Sequence, residues 1–168
     1  MELLEGIYTR RSVRHYTDQP VTKHQLMEII KAGTWAPSGL NNQPWRFVIV
    51  KNKTMLFDLA QLTTYRHIIE KAQACIAVFA DTKAMYHDVK DHQAIGACIQ
   101  NMLLAAHALG LGAVWLGEIL KNAGEVRALL ELPEEMDLMA VLAVGHPTDK
   151  STKSSSRKKI SEVLLRTI

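Results

Sequence analysis

No stretch of this 168-residue chain approaches the roughly 18 consecutive apolar residues of a membrane-spanning helix. Met1 leads straight into the polar, amphipathic run Glu2–Arg10, with no apolar core of a leader peptide. A cytoplasmic protein with no membrane partner is the expectation. Cysteine is scarce: Cys75 lies in an apolar strand-like run and Cys98 on an apolar helix, far apart and without metal-ligand or redox spacing, so both read as small buried hydrophobes. Neither a G-x-G-x-x-G fingerprint nor a P-loop is present, which disfavours a Rossmann dinucleotide site and a Walker-type nucleotide hydrolase. Also missing are internal repeats and interdomain linkers, and one domain spanning residues 1–168 suits the length. The net charge of +3 is modest and lacks a basic stripe set with aromatics, so a small anion fits better than nucleic acid.

What remains is an ordinary globular balance, 48% hydrophobic and 22% charged. Leu3, Leu4, Ile7 and Tyr8 have helical spacing and end in the cationic run Arg10-Arg11-Ser12-Val13-Arg14. Thr22 and Gln25 form a capping-box pattern ahead of Leu26, Ile29 and Ile30, predicting a second helix to about Ala32 or Thr34. A Gly- and Pro-punctuated loop, Trp35 to Trp45, then feeds the strand-like Phe47-Val48-Ile49-Val50. Met55 to Leu62 reads as a helix and Cys75 to Ala80 as a buried strand.

Asp91 to Leu109 is the longest helix candidate. Ile95, Cys98, Ile99, Met102, Leu103, Ala106 and Leu109 recur at helical intervals, and small or apolar residues fill most other positions, leaving little polar face. So small a chain has little else to cover such a helix, which points to a homodimer interface. Ala113 to Leu116 reads as a third strand, Gly117-Glu118 as a tight turn before a helix around Val126, Leu129 and Leu130, and Leu138 to Val144 as a fourth strand. A Ser/Thr/Lys segment, Thr148 to Ser156, precedes a short helix from about Lys159. Four strands interleaved with helices make an α/β or α+β layered sandwich.

Three clusters have chemistry to offer: Arg10 to Arg14 with Ser12 inside it, the Trp35 to Trp45 loop, and Arg157 behind Ser154, Ser155 and Ser156. Guanidinium forks and hydroxyls suit a phosphate. The same residues also read as a solvated basic turn and tail. A rival cluster, His87-Asp88 and Asp91-His92, has i,i+4 pairs of the kind metals use, but two ligands per face are an incomplete set, and acids at a helix start are stabilised by its dipole anyway. Trp45 and Trp115 are expected to pack into the core, whereas Trp35 is left open between core and a site border. His107 reads as a packed residue.

Arg10-Arg11-Ser12-Val13-Arg14, Ala36 to Trp45 (APSGLNNQPW), Asn101 to Trp115 (NMLLAAHALGLGAVW), Val141 to Pro147 (VLAVGHP) and Arg157 occur in the order seen in nitroreductases. Over nearly its whole length the chain resembles the short form of the nitroreductase family of FMN-dependent oxidoreductases. The resemblance implies an α+β, three-layer sandwich whose central, mostly antiparallel sheet is flanked by helices, with terminal segments exchanged in a dimer. It implies FMN as cofactor, NADH or NADPH as electron donor, and a small electron-poor acceptor such as a nitroaromatic or quinone. Arg10, Arg11, Ser12 and Arg157 then look like partners of the phosphate end, and Arg14 like the cation beside the flavin N1 and O2 edge. Pro37, Ser38, Gly39 and Asn41 look like the other subunit's contribution to the ring, and Gly117 and Glu118 like the turn whose backbone faces N5. No protein nucleophile or general base is needed, since hydride passes through the flavin N5.

The departures are local. Longer relatives carry a helical excursion where this chain has only Asp81 to Lys90; Ser155 stands where several have lysine, and Gly117 where some have glutamate. A non-catalytic FMN-binding protein, or a flavin enzyme of the same fold performing dehalogenation or flavin breakdown, are the alternatives.

Overall fold

The computed structural model describes residues 1–148 and 156–168. Ser154 and Ser155, with the tail lysines Lys150 and Lys153, lie outside the described residues. In chain order the elements are α1 (Leu3–Thr9), α2 (Lys23–Thr34), a 3₁₀ turn (Gly39–Asn41), β1 (Trp45–Val50), α3 (Lys53–Ala60), α4 (Arg66–Lys71), β2 (Ala74–Asp81), α5 (Asp88–Ala108), β3 (Gly112–Leu116), a second 3₁₀ turn (Glu118–Asn122), α6 (Ala123–Leu129), β4 (Met136–Gly145) and α7 (Ile160–Val163).

The strands form one antiparallel sheet in the order β1-β2-β4-β3. Both faces of its centre are dry, so β2 and β4 carry apolar residues at successive positions and do not alternate with polar ones. Ala74, Ile76, Val78 and Ala80 of β2 face α2 and α5, while Cys75, Ala77 and Phe79 face α3, α4 and α6. This is the three-layer α+β sandwich the sequence implied. Burial pushes both cysteine thiols up to about 12, which leaves them inert as nucleophiles.

Local signals explain the boundaries. Thr22 Oγ1 accepts from Gln25 N at 3.2 Å while Gln25 Oε1 accepts from Thr22 N at 2.9 Å, the reciprocal cap read from the sequence. The helix expected over Met55 to Leu62 begins earlier, because Asn52 caps it by accepting from Met55 N at 3.0 Å. The long helix starts at Asp88, before Asp91. Its Asp91 side chain reaches back to accept from Tyr86 N and His87 N, so that residue supports the helix start from within. Six-residue α4 is too short to show a period and was not anticipated.

The segment after α1 continues the sheet. Ser12 forms a parallel bridge to Ala113 at the free edge of β3, with Val13 N donating to Ala113 O at 3.0 Å, and Tyr16 bridges Pro147. Tyr16 locks this arrangement: its buried hydroxyl lies 2.7 Å from Val13 O and 3.1 Å from Ala143 O, and burial drives its pKa upward. Gly112 permits the close approach, since a Cβ there would stand 2.4 Å from Val13 Cγ1. Gly112→Ala should therefore push the basic segment off β3 and destabilise the fold by about 1–3 kcal/mol, read as a lower urea midpoint. An unchanged midpoint would mean that Val13 moves aside freely.

Candidate functional site

At the β3 edge, the bridge holds Arg10, Ser12 and Arg14 along an extended segment, and the exposed Gly117 with Glu118 follows directly after β3. Arg157 arrives from the far end of the chain. Burial, then the like charges of Arg157 and Arg11, lower the pKa of Arg10, so the three guanidinium groups form one electropositive cluster. Gathering like charges is unfavourable unless an anion offsets them. Arg11 is partly committed elsewhere, as its Nη1 donates to Tyr8 O at 2.7 Å and Arg10 O at 2.9 Å, where it satisfies carbonyls at the end of α1. Arg157 Nη1 likewise donates to its neighbour Ser156 O at 3.0 Å.

Arg14 is exposed, and its Nη1 donates to Ser12 O at 3.3 Å. It lines a cleft of about 690 Å³ with Tyr16, Asp18, His67, Glu70 and Lys71. His67 and Lys71 belong to α4, and the sequence offered no signal for their approach to Arg14 because nothing marked α4 as a helix.

Glu118 turns its carboxylate away from an open position. It accepts from Thr63 Oγ1 at 2.6 Å and from Thr64 N at 3.0 Å, and it pairs with Lys121. These contacts, that with Lys121 first, hold its pKa down to about 2 against an ordinary 4.5. Its carboxylate thus ties the turn after β3 to the α3–α4 connection and stays ionised. A carboxyl depressed in the folded state stabilises fully above about pH 4.5, and that contribution is lost as pH falls toward 2. Glu118→Gln should flatten this stretch of the stability curve, measured as the change in urea midpoint between pH 6 and pH 3. A variant that loses as much as the parent over that interval would assign the acid sensitivity to other carboxylates.

Pro37, Ser38, Gly39 and Asn41 lie elsewhere. Their loop leads into β1, the opposite edge of the sheet from β3, and borders a small hollow with Lys90, Gln93, Ala94 and Ala97 of α5. Three strand spacings, about 14 Å, separate the two edges, with β2 and β4 between them and α5 packed on one face. One chain therefore does not bring all the anticipated residues together. The loop is strained: Leu40, Asn41 and Gln43 have φ of 55°, 55° and 49°, each costing on the order of 1–3 kcal/mol. Ser38 Oγ accepts from Gln43 N at 3.1 Å, and Asn42 Nδ2 donates to Ala84 O at 3.0 Å and to Asp91 Oδ1 at 2.7 Å.

The rival His/Asp cluster resolves differently. Asp91 is fully buried; burial raises its pKa, but hydrogen bonds from His87 N, Asn42 and Tyr86 N outweigh this and leave it below the ordinary value. Exposed His92 pairs with Asp88. Among the described residues no group of three or more candidate ligands is gathered for a metal. His107 is half-buried, with Nε2 3.0 Å from Thr9 Oγ1.

The tryptophans correct one expectation. Trp45 is in the core, but Trp115, on the edge strand β3, is 40% exposed. Trp35 is 81% exposed and borders an apolar groove of about 440 Å³ with Met1, Leu3, Leu104, Ala105 and Ala108. The long helix thus keeps an open apolar flank.

The profile of the Nitroreductase family matches residues 7–66 and 57–146. This chain belongs to the nitroreductase family. It is 38% identical over 152 residues to an Archaeoglobus fulgidus protein assigned as an NADH dehydrogenase/NAD(P)H nitroreductase, covering 89% of this chain and 87% of that one. A Bacillus subtilis FMN reductase [NAD(P)H] is 32% identical over 90% of this chain and 68% of its own. The crystal structure of a Desulfovibrio desulfuricans protein assigned as a nitroreductase, in complex with FMN, superimposes with a TM-score of 0.94 at 48% identity, covering 100% of this chain and 98% of that one. Among the described residues of this nitroreductase-family chain no helix is long and apolar enough to cross a membrane.

Proposed function

We propose that this chain is an NAD(P)H-dependent FMN oxidoreductase that works as a homodimer and reduces a small electron-poor acceptor, a nitroaromatic or quinone, by a ping-pong mechanism. The observation that carries this reading is the convergence of Arg10 and Arg157, from the two ends of the chain, into one electropositive cluster beside Ser12. Such a cluster fits a terminal phosphate. Charge-assisted, forked hydrogen bonds from arginine are the strongest that a protein offers to phosphate oxygens.

From that anchor the extended segment leads to Arg14, whose cation would stand toward the pyrimidine edge of the ring. Gly117, exposed and without a side chain, leaves backbone approach open on the same edge of the sheet. The Pro37–Asn41 loop lies across the sheet from these groups, so its contribution to the same ring requires a second copy of the chain. An apolar flank on α5 and exposed Trp35 and Leu3 are surfaces such a copy would bury.

Bound FMN supplies the chemistry of accepting a hydride from a reduced nicotinamide and delivering electrons onward. The chain's own residues hold the phosphate, keep a cation where reduction adds negative charge, and leave one side open for successive partners. Glu118 is no proton donor, being ionised and engaged with Thr63, Thr64 and Lys121. A single open site shared by donor and acceptor favours ping-pong exchange.

The test is anaerobic addition of NADH or NADPH to the purified protein. Flavin absorbance should bleach, stay bleached after the nicotinamide is exhausted, and return when a quinone or nitroaromatic is added. Flavin that does not bleach with either nicotinamide would leave a binding protein without this activity.

A further inference from the structure

We infer that Asp91, a buried carboxylate remote from the arginine cluster, is a positioning residue for the flavin site, setting the Pro37–Asn41 loop through Asn42 and Tyr86. The inference rests on the reading that this loop closes on a flavin ring across the dimer. Asp91 is fully buried on α5, and no ion pair reaches it among the described residues. Its Oδ2 accepts from Tyr86 N at 2.9 Å and His87 N at 2.8 Å, which is sufficient to start the helix. Its Oδ1 does something the helix does not need: it accepts from Asn42 Nδ2 at 2.7 Å.

Asn42 sits between Asn41 and Gln43, both held at positive φ, so its side chain is the tie that keeps a strained stretch in place. The amide orientation is unambiguous, because both groups within reach of Nδ2, Asp91 Oδ1 and Ala84 O, are acceptors, while Asn42 Oδ1 is buried without a donor. The other end of the loop answers to the same carboxylate. Tyr86, whose N–H it fixes, places its hydroxyl 1.8 Å from where a Cβ on Gly39 would stand, so the phenol ring abuts the backbone of Gly39. One acceptor-only group thereby sets both Gly39 and Asn42, and with them Leu40 and Asn41 in between. An amide at position 91 would have to turn an NH₂ group toward Asn42 Nδ2 or toward the two backbone N–H groups, setting donor against donor.

The experiment compares Asn42→Ala, Asp91→Asn, the double variant and Met102→Ala, a core truncation on the same helix that leaves the loop alone. Three readouts are taken on the protein as purified: the FMN dissociation constant, the visible circular dichroism of the bound flavin, and hydrogen exchange at the amides of Asn41, Asn42 and Gln43. These amides bond to Ser38 O, Gly39 O and Ser38 Oγ. Asn42→Ala and Asp91→Asn should each weaken FMN binding at least ten-fold, change the dichroism, and speed exchange at the three amides at least ten-fold. The double variant should fall within two-fold of Asp91→Asn, as expected of one connected unit. Met102→Ala should lower the melting temperature, followed as a control, without moving any of the three readouts. Faster exchange with native FMN affinity and dichroism would overturn the role in the flavin site while leaving a structural tie. Unchanged exchange would overturn the tie itself. A parent protein that binds no FMN would overturn the flavin reading and this role together, separately from the exchange result. Should Asp91→Asn fail to fold, Asn42→Ala alone decides between these outcomes.

Discussion

Truncation after Arg157 should convert the proposed dimer into monomers that no longer retain FMN, although every arginine of the cluster around Arg10 is still present. The removed arm carries Ile160, Val163, Leu164, Leu165 and Ile168, which are 57–102% exposed in the single chain. Its only helix, α7, is four residues long and has no stability of its own. An arm this apolar is accounted for if it packs on a second copy. Burying a large apolar side chain is worth about 1.5–3 kcal/mol, so burying even half of these five would contribute about 4 kcal/mol, close to a thousand-fold in the dimer dissociation constant. Light scattering coupled to the flavin-to-protein ratio measures both effects. Leu165→Asp, which keeps the length of the arm, should weaken the dimer in the same direction. A truncated protein that stays dimeric would place the interface on α1, α2 and α5 alone, and a flavin-loaded monomer would remove the need for a second copy in the site.

Replacing Arg14 with Ala should lower the two-electron potential of the bound flavin, while Arg157→Ala should weaken FMN binding and leave the potential nearly unchanged. The contrast follows from placement. Arg157 joins the cluster around Arg10, whereas Arg14 lies four residues further along an extended segment, about 13 Å at full stretch. A unit cation 4 Å from the negative charge of the reduced ring would contribute about 4 kcal/mol at an effective dielectric near 20. Arg14 is exposed, so solvent screening reduces this. Even about 1.4 kcal/mol corresponds to roughly 30 mV for a two-electron couple. Redox titration of both variants at saturating FMN separates the roles, and equal potentials would mean that Arg14 does not act on the ring. Lys71, across the cleft from Arg14, offers a second cation through which such a result would be explained.

Much of the fold was legible because its signals are local. The Thr22/Gln25 cap, the alternation of apolar runs with turn residues, and the period of the long helix each depend on residues within a few positions of one another. The misplaced helix starts have equally local causes: Asn52 and Asp91 are polar residues whose capping bonds are visible only once the backbone has turned. Trp115 was misjudged because exposure in a strand depends on its place in the sheet, and β3 proved to be an edge.

The site divides along the same line. Its chemical inventory, arginines around Ser12, a small polar loop before the first strand and a glycine turn after the third, was determined by the sequence itself, since side-chain chemistry does not depend on folding. Their grouping was not. Only the tertiary structure brings Arg157 to Arg10, sends Arg11 to the end of α1, turns Glu118 toward Thr63 and Thr64, and puts the Pro37–Asn41 loop on the opposite edge of the sheet. Contacts of this kind join residues far apart along the chain. They are selected by which surfaces the packed layers leave facing one another, and no spacing within the sequence records that choice.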